Sequence, residues 1–271
     1  MIEGSIPSSL EKKNLMLSSN SKFIMYSPLE QFEIISVFPL EYFSFNISIT
    51  NSVLFMCIIF FLSFFWISLS FYKNSLVPSN WQLVFEEFYS LTATMVRDNL
   101  GFKGELYFPF VFSLHLFLLF ANLIGMIPYS FTITSHIIIT FSLALSIFIG
   151  INIIGLRTHG INFFSLFLPR GVPLIIVPLI ITIEFLSYVV KVFTLSIRLF
   201  ANMTSGHTLL KIIAGFSWTM LISGGLISFF HIIPLLLLLT LIGLELAIAI
   251  LQAYVFTLLT CIYLNDVLEL H

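Results

Sequence analysis

Charge is scarce in this sequence. Asp, Glu, Lys and Arg together make up 9% of the 271 residues, against roughly a quarter in an ordinary soluble domain. With 59% hydrophobic residues and a mean hydropathy of +1.08, the chain has too little polar surface to face water on all sides. That excludes soluble enzymes and soluble binding modules and leaves a polytopic integral membrane protein. A basic excess is also missing: 11 Lys and Arg stand against 13 Asp and Glu, for a net charge of -2, so no nucleic-acid partner is expected. Cysteine is almost absent. Cys57 and Cys261 both sit in apolar runs and read as buried thiols rather than a disulfide. No G-x-x-x-x-G-K-[ST] run occurs, so nucleotide chemistry must happen elsewhere, and no cofactor is expected.

What charge there is has an uneven distribution. Eight of the 24 charged residues fall in the first 41 positions. Residues 1–50 therefore read as an extramembrane extension, open to processing, although Glu3 and Glu11 argue against a standard transit peptide. Residues 51–271 read as the membrane domain. A charge-free run over about 52–72 is long enough for one crossing. From Asn80 to Arg97, Trp81, Val84, Phe85, Phe88, Leu91 and Met95 recur at helical steps, with Glu86, Glu87 and Arg97 opposite. That pattern predicts an amphipathic helix along the membrane surface, or one packed on a partner subunit. Spans over about 106–127 and 133–156 follow as a hairpin joined near Pro128 and Tyr129. His115 and His136 read as core histidines. Lys73, Arg97, Lys103, Arg157 and Arg170 all fall on one side, which marks the face from which insertion occurs.

Two long apolar stretches, about 171–222 and 226–268, close the chain. The first would run about 75 Å as a helix, against a hydrocarbon layer of about 30 Å, so a steep tilt or a break is required. Ser223, Gly224 and Gly225 offer a turn between them. The expected fold is therefore all-α and membrane-integral: transmembrane helices, one interfacial amphipathic helix and a C-terminal hairpin of two long, steeply tilted helices.

Polar residues in this hairpin are few and ordered. Glu184, Lys191 and Arg198 follow at seven-residue steps, with Asn202 one turn on; Glu245, Gln252 and Asp266 also fall on sevens. If the helices fold back about the glycines, Glu184 meets Asp266, Arg198 meets Gln252, and His207 meets Glu245, each pair centred on residue 225 or 226. Glu184 with Lys191 is a structural alternative. Ala247, Ala249 and Ala253 keep the second helix slim for a close neighbour. A guanidinium at mid-bilayer costs about 2.5–3.5 kcal/mol on insertion scales, so Arg198 needs a carboxylate or a watery path. It keeps its proton at any physiological pH, whereas His and Glu exchange theirs. Arg198 would thus separate two half-channels, one holding His207 and Glu245, the other Glu184 and Asp266. At about 4 Å and an effective dielectric of about 20, it would attract a passing carboxylate by on the order of 4 kcal/mol. This chain has no moving carboxylate of its own, so a partner must bring it.

The runs LSIRLFANMTSGHTLL and LELAIAILQAYVFTLLTCIYLND, with SPLEQFEI, LYFPFVFSLHLFLLFANLIGMIPYSF and LRTHGINFFSLFLPRGVPL, closely resemble subunit a of the F-type ATP synthase in its mitochondrial form. The resemblance implies a stator subunit of the rotary membrane sector, not catalytic alone. It implies that Arg198 faces the carboxylates of a c-subunit ring, and that Asn202, His207, Glu245, Gln252, Glu184 and Asp266 have half-channel roles. Other partners would be the remaining membrane-sector and peripheral-stalk subunits, the lipid bilayer and protons. The expected location is the mitochondrial inner membrane, with the N-terminus on the intermembrane side and the C-terminus toward the matrix. Two rivals predict otherwise: a self-contained secondary transporter would carry inverted repeats, none of which is visible, and a structural subunit of a respiratory complex would tolerate loss of Arg198.

Overall fold

The computed structural model describes residues 28–39, 41–42, 45–46, 48–71, 78–127, 130–167 and 176–268. Lys73, the Pro128–Tyr129 link, Arg170 and the segment before Ser27 lie outside them, as do the sequence expectations that rest on those positions.

Helices dominate. They are α1 (Asn51–Phe71), α2 (Asn80–Leu100), α3 (Phe108–Gly125), α4 (Ile137–His159), α5 (Val177–Ile222), α6 (Gly225–Phe230) and α7 (Ile232–Leu268). Before α1, two short antiparallel ladders pair β1 (Ser36–Phe38) with β4 (Ile49–Thr50) and β2 (Glu41–Tyr42) with β3 (Phe45–Asn46). Asn51 joins this region to α1: its side chain donates to the Glu33 carbonyl and accepts from Ile35 N–H. Among the described residues, five helical stretches are long and apolar enough to cross a membrane: Asn51–Phe71, Gly104–Gly125, Ile137–Phe163, Val177–Ile222 and Ser228–Leu268. This is an all-α membrane fold.

α7 is its centre, packed against α2, α3, α4 and α5. Ala249, Ala253, Phe256, Thr257, Thr260, Leu264 and Val267 recur at three- and four-residue steps, and all are buried. The small residues Ala249 and Ala253 let α3 come close enough for Asn122 Nδ2 to donate to the Ala249 carbonyl at 3.0 Å. Ala247, grouped with them on sequence, is exposed on the opposite side. Gly155 on α4 does the same work at the far end, since a Cβ there would overlap Val267 and Phe163.

α2 is not among the candidate spans, and its buried side differs from the expected stripe. Thr92, Met95, Val96 and Leu100 are buried, and Phe85 and Phe88 pack edge-on against Trp66 of α1. Trp81, Val84 and Leu91 instead face outward. The helix therefore has two apolar sides: one is consumed by α1, α3 and α7, and one is left exposed by the described residues.

The C-terminal hairpin forms with the turn where the glycines fall. α5 is continuous for 46 residues, about 69 Å at 1.5 Å per residue, so it can cross an apolar layer of about 30 Å only at a steep incline. Gly224 and Gly225 then adopt φ of +69° and +67°, a conformation that costs glycine nothing and other residues more. The returning arm is helical on both sides of a one-residue interruption. His231 is that residue, separating the short α6 from α7.

Candidate functional site

The polar residues of the hairpin lie between α5 and α7, with α4 covering the other side of α5. Tyr188, Val192, Leu195, Leu199 and Met203 form the buried stripe of α5. This leaves Lys191, Arg198, Asn202 and His207 half-buried along its margins.

Nearest the turn, His207 Nδ1 lies 3.8 Å from Glu245 Oε1. That is an ion pair when the imidazole is protonated, though too long for a hydrogen bond. Gly206 is what admits the carboxylate: a Cβ at that position would overlap Glu245 Oε1 and lie 2.9 Å from Cδ. A cavity of about 190 Å³ opens beside the pair, lined by Asn202, Ser205, Gly206, Leu209, Glu245 and Ile248 among others. Both Glu245 carboxylate oxygens and His207 Nε2 are buried with no hydrogen-bond partner among the described residues. One level along, Asn202 Nδ2 donates to Gln252 Oε1 at 3.1 Å. Farthest from the turn, Lys191 Nζ donates to Asp266 Oδ2 at 3.3 Å. The ammonium also lies 5.0 Å from the centre of the Tyr263 ring, a cation–π distance.

The expected register thus holds at one level and slips at two. His207 meets Glu245. Gln252 is met by Asn202 rather than Arg198, because two amides match donor to acceptor. Asp266 is met by Lys191 rather than Glu184, because two carboxylates would repel each other where a cation is within reach. The alternative pairing of Glu184 with Lys191 does not form: the ammonium is held by Asp266 instead. Glu184 is exposed. Arg198, lying between the Asn202–Gln252 and Lys191–Asp266 levels, makes no hydrogen bond or ion pair with any described residue.

Sequence reasoning missed the polar links that fix α5 in place. Ser196 donates to Thr140 at 3.2 Å, Thr204 to the Ser135 carbonyl at 3.3 Å, and Tyr188 to Asn152 at 3.0 Å. These are short side chains on apolar helices, with no charge to advertise them. His115 is buried and shares a 3.1 Å hydrogen bond with Thr92, while His136 stacks on Phe131. No described residues cluster as metal ligands.

Fold and site together define a polytopic α-helical membrane protein whose longest apolar hairpin carries a line of ionisable and amide side chains between its two arms. Residues 51–265 match the family model described as ATP synthase A chain. The chain is 74% identical to ATP synthase subunit a of Chondrus crispus over 249 residues, covering 92% of this chain and 98% of the relative. It is 48% identical to ATP synthase subunit a of Brassica napus, covering 92% and 98%, and 48% identical to ATP synthase subunit a-2 of Arabidopsis thaliana, covering 90% and 72%. This chain belongs to the ATP synthase A chain family. It is accordingly a membrane-sector component of ATP synthase, works with other subunits of that complex, and is not catalytic alone.

Proposed function

We propose that this chain is the stator element that delivers protons to, and collects them from, a rotating ring of c subunits in the mitochondrial inner membrane. His207, Glu245 and the adjoining cavity form the half-channel open to the intermembrane side. Glu184 and Asp266 belong to the half-channel open to the matrix, where the C-terminus also lies. Asn202 and Gln252 line the approach to the ring. Residues 1–50 form an extramembrane extension on the intermembrane side.

The observation that carries this reading is the isolation of Arg198. The polar groups on either side of it are paired with each other, and among the described residues its guanidinium has no hydrogen bond or ion pair, only the Tyr263 side chain close enough to feel its charge. A fixed positive charge with no carboxylate paired to it among the described residues attracts a ring carboxylate in its ionised form and repels a hydronium. Each carboxylate reaching Arg198 gives up its proton to one route, and beyond Arg198 it takes a proton from the other. The cavity beside Glu245 supports the entry route. A water occupies about 30 Å³ of liquid and needs two to four polar partners; the volume accommodates several, and the unsatisfied atoms of His207 and Glu245 supply partners. Each elementary charge crossing 100 mV supplies about 2.3 kcal/mol to the rotor.

The two routes can be told apart by labelling. In a background lacking Cys57 and Cys261, Glu245→Cys and Asp266→Cys are exposed to a membrane-impermeant thiol reagent, in inner-membrane vesicles of either orientation. The expected result is labelling of residue 245 from the intermembrane side and of residue 266 from the matrix side. Labelling of both from one side would refute two offset half-channels.

A further inference from the structure

A second cavity lies away from the hairpin, where α2 ends and the chain enters the span that begins at Gly104. Its volume is about 240 Å³, and Tyr89, Val96, Arg97, Gly101, Glu105 and Phe108 are among its walls. The chain reverses at Gly101, whose φ is +60°, and nothing lies within 4 Å of where a Cβ on that residue would sit, so the space is open above it. Tyr89 and Phe108 meet edge-to-face at 4.9 Å and form an aromatic wall. Arg97 and Glu105 both line the cavity with opposite charge, yet neither forms an ion pair or side-chain hydrogen bond with a described residue.

The surroundings fix the depth. The connector between α2 and α3 presents Phe102 and Leu106 at 89% and 80% exposure, apolar side chains that would enter a bilayer at the boundary between headgroups and acyl chains. The cavity therefore lies at headgroup level. There the available ligand is a phospholipid, and a cation and an anion that line one cavity, neither paired with a described residue, match one that carries both charges.

We infer that this cavity binds the headgroup of a zwitterionic phospholipid: Arg97 takes the phosphate, Glu105 takes the ammonium, and the Tyr89–Phe108 wall flanks it. A guanidinium holds phosphate oxygens through paired N–H donors, and an aromatic face stabilises an alkylammonium. Glu105 is what sets the preference, since it would repel the net negative headgroup of an anionic lipid. At about 240 Å³ the space is below the usual size of a drug-sized ligand site, about 300–1,000 Å³; it fits a headgroup, with the acyl chains left in the bilayer.

The test is native mass spectrometry of the purified, assembled complex titrated with dioleoyl phosphatidylethanolamine, phosphatidylcholine or phosphatidylglycerol. Arg97→Ala and Glu105→Ala change exposed side chains and leave the helix packing intact. Each is expected to weaken the binding of one zwitterionic lipid by about tenfold or more, and Glu105→Ala is expected to leave phosphatidylglycerol binding unreduced. In the double variant Arg97→Glu/Glu105→Arg the loss persists, because the phosphate would now face a carboxylate. Identical lipid-binding distributions in wild type and both single variants would overturn the inference. So would recovery in the charge-swapped variant, which would mean that the two side chains act on each other.

Discussion

Gly206 lies directly against the carboxylate of Glu245, so close that a Cβ on residue 206 would overlap Oε1. The two come from opposite arms of the hairpin, and the contact brings Glu245 beside His207 at 3.8 Å. Adding one methyl group would push out the tip of a flexible side chain rather than break a core. Gly206→Ala should therefore leave the complex assembled while shifting the carboxylate by about 1 Å, a displacement that costs on the order of 100-fold where geometry governs proton transfer. The check is proton-driven ATP synthesis at limiting proton-motive force, normalised to complex on a native gel. Wild-type flux would show that the position of Glu245 is immaterial.

The Asn202–Gln252 bond should behave as a structural pair as well as lining the approach to the ring. Gln252 is buried, and its Nε2 has no partner among the described residues. Asn202→Leu would strip the remaining hydrogen bond and should destabilise the assembled sector by about 1–3 kcal/mol. Asn202→Leu/Gln252→Leu should recover part of that loss by removing the orphaned amide. Thermal melting of the purified complex compares the three; additive losses would show that the two amides do not interact.

Lys191 and Asp266 are each more than a third exposed on average, so their pair should add little to stability, within about 0–1 kcal/mol. Asp266→Asn should slow ATP synthesis several-fold without lowering the melting temperature. Charge reversal, Lys191→Asp with Asp266→Lys, should keep the complex assembled and leave the flux low. Full flux in the reversed variant would make Asp266 a structural partner only.

Phe256 and Gly155 test the packing around α7. Phe256 is fully buried, and Phe256→Ala should cost about 3–5 kcal/mol. Gly155→Ala would press a methyl group into Val267 and Phe163, costing about 1–3 kcal/mol. Both should lower the yield of assembled complex. Normal assembly of both variants would mean that α7 is not the centre of the bundle.

The larger architecture was legible because apolar length and turn chemistry are local. A charge-free run marks α1, and Gly224 with Gly225 marks the reversal between α5 and α6. The pairing of His207 with Glu245 was also readable from its distance to that turn. Farther out, the register depended on matching chemistry across helices: Lys191 outcompetes Glu184 for Asp266, and Asn202 outcompetes Arg198 for Gln252. Counting residues from the turn cannot express that competition. Gly206 could have been found by the same count, since it sits opposite Glu245 beside His207. The break at His231 and the outward side of α2 could not, because they depend on what the neighbouring helices leave room for.

The most direct measurement uses Arg198→Ala, with proton-driven ATP synthesis and ATP-driven proton pumping read in the same membranes and assembly verified on a native gel. A guanidinium that has no ion pair among the described residues and meets the ring predicts loss of both activities in a fully assembled complex. Normal coupled activity would contradict the account, making Arg198 a structural residue and removing the barrier between the two half-channels.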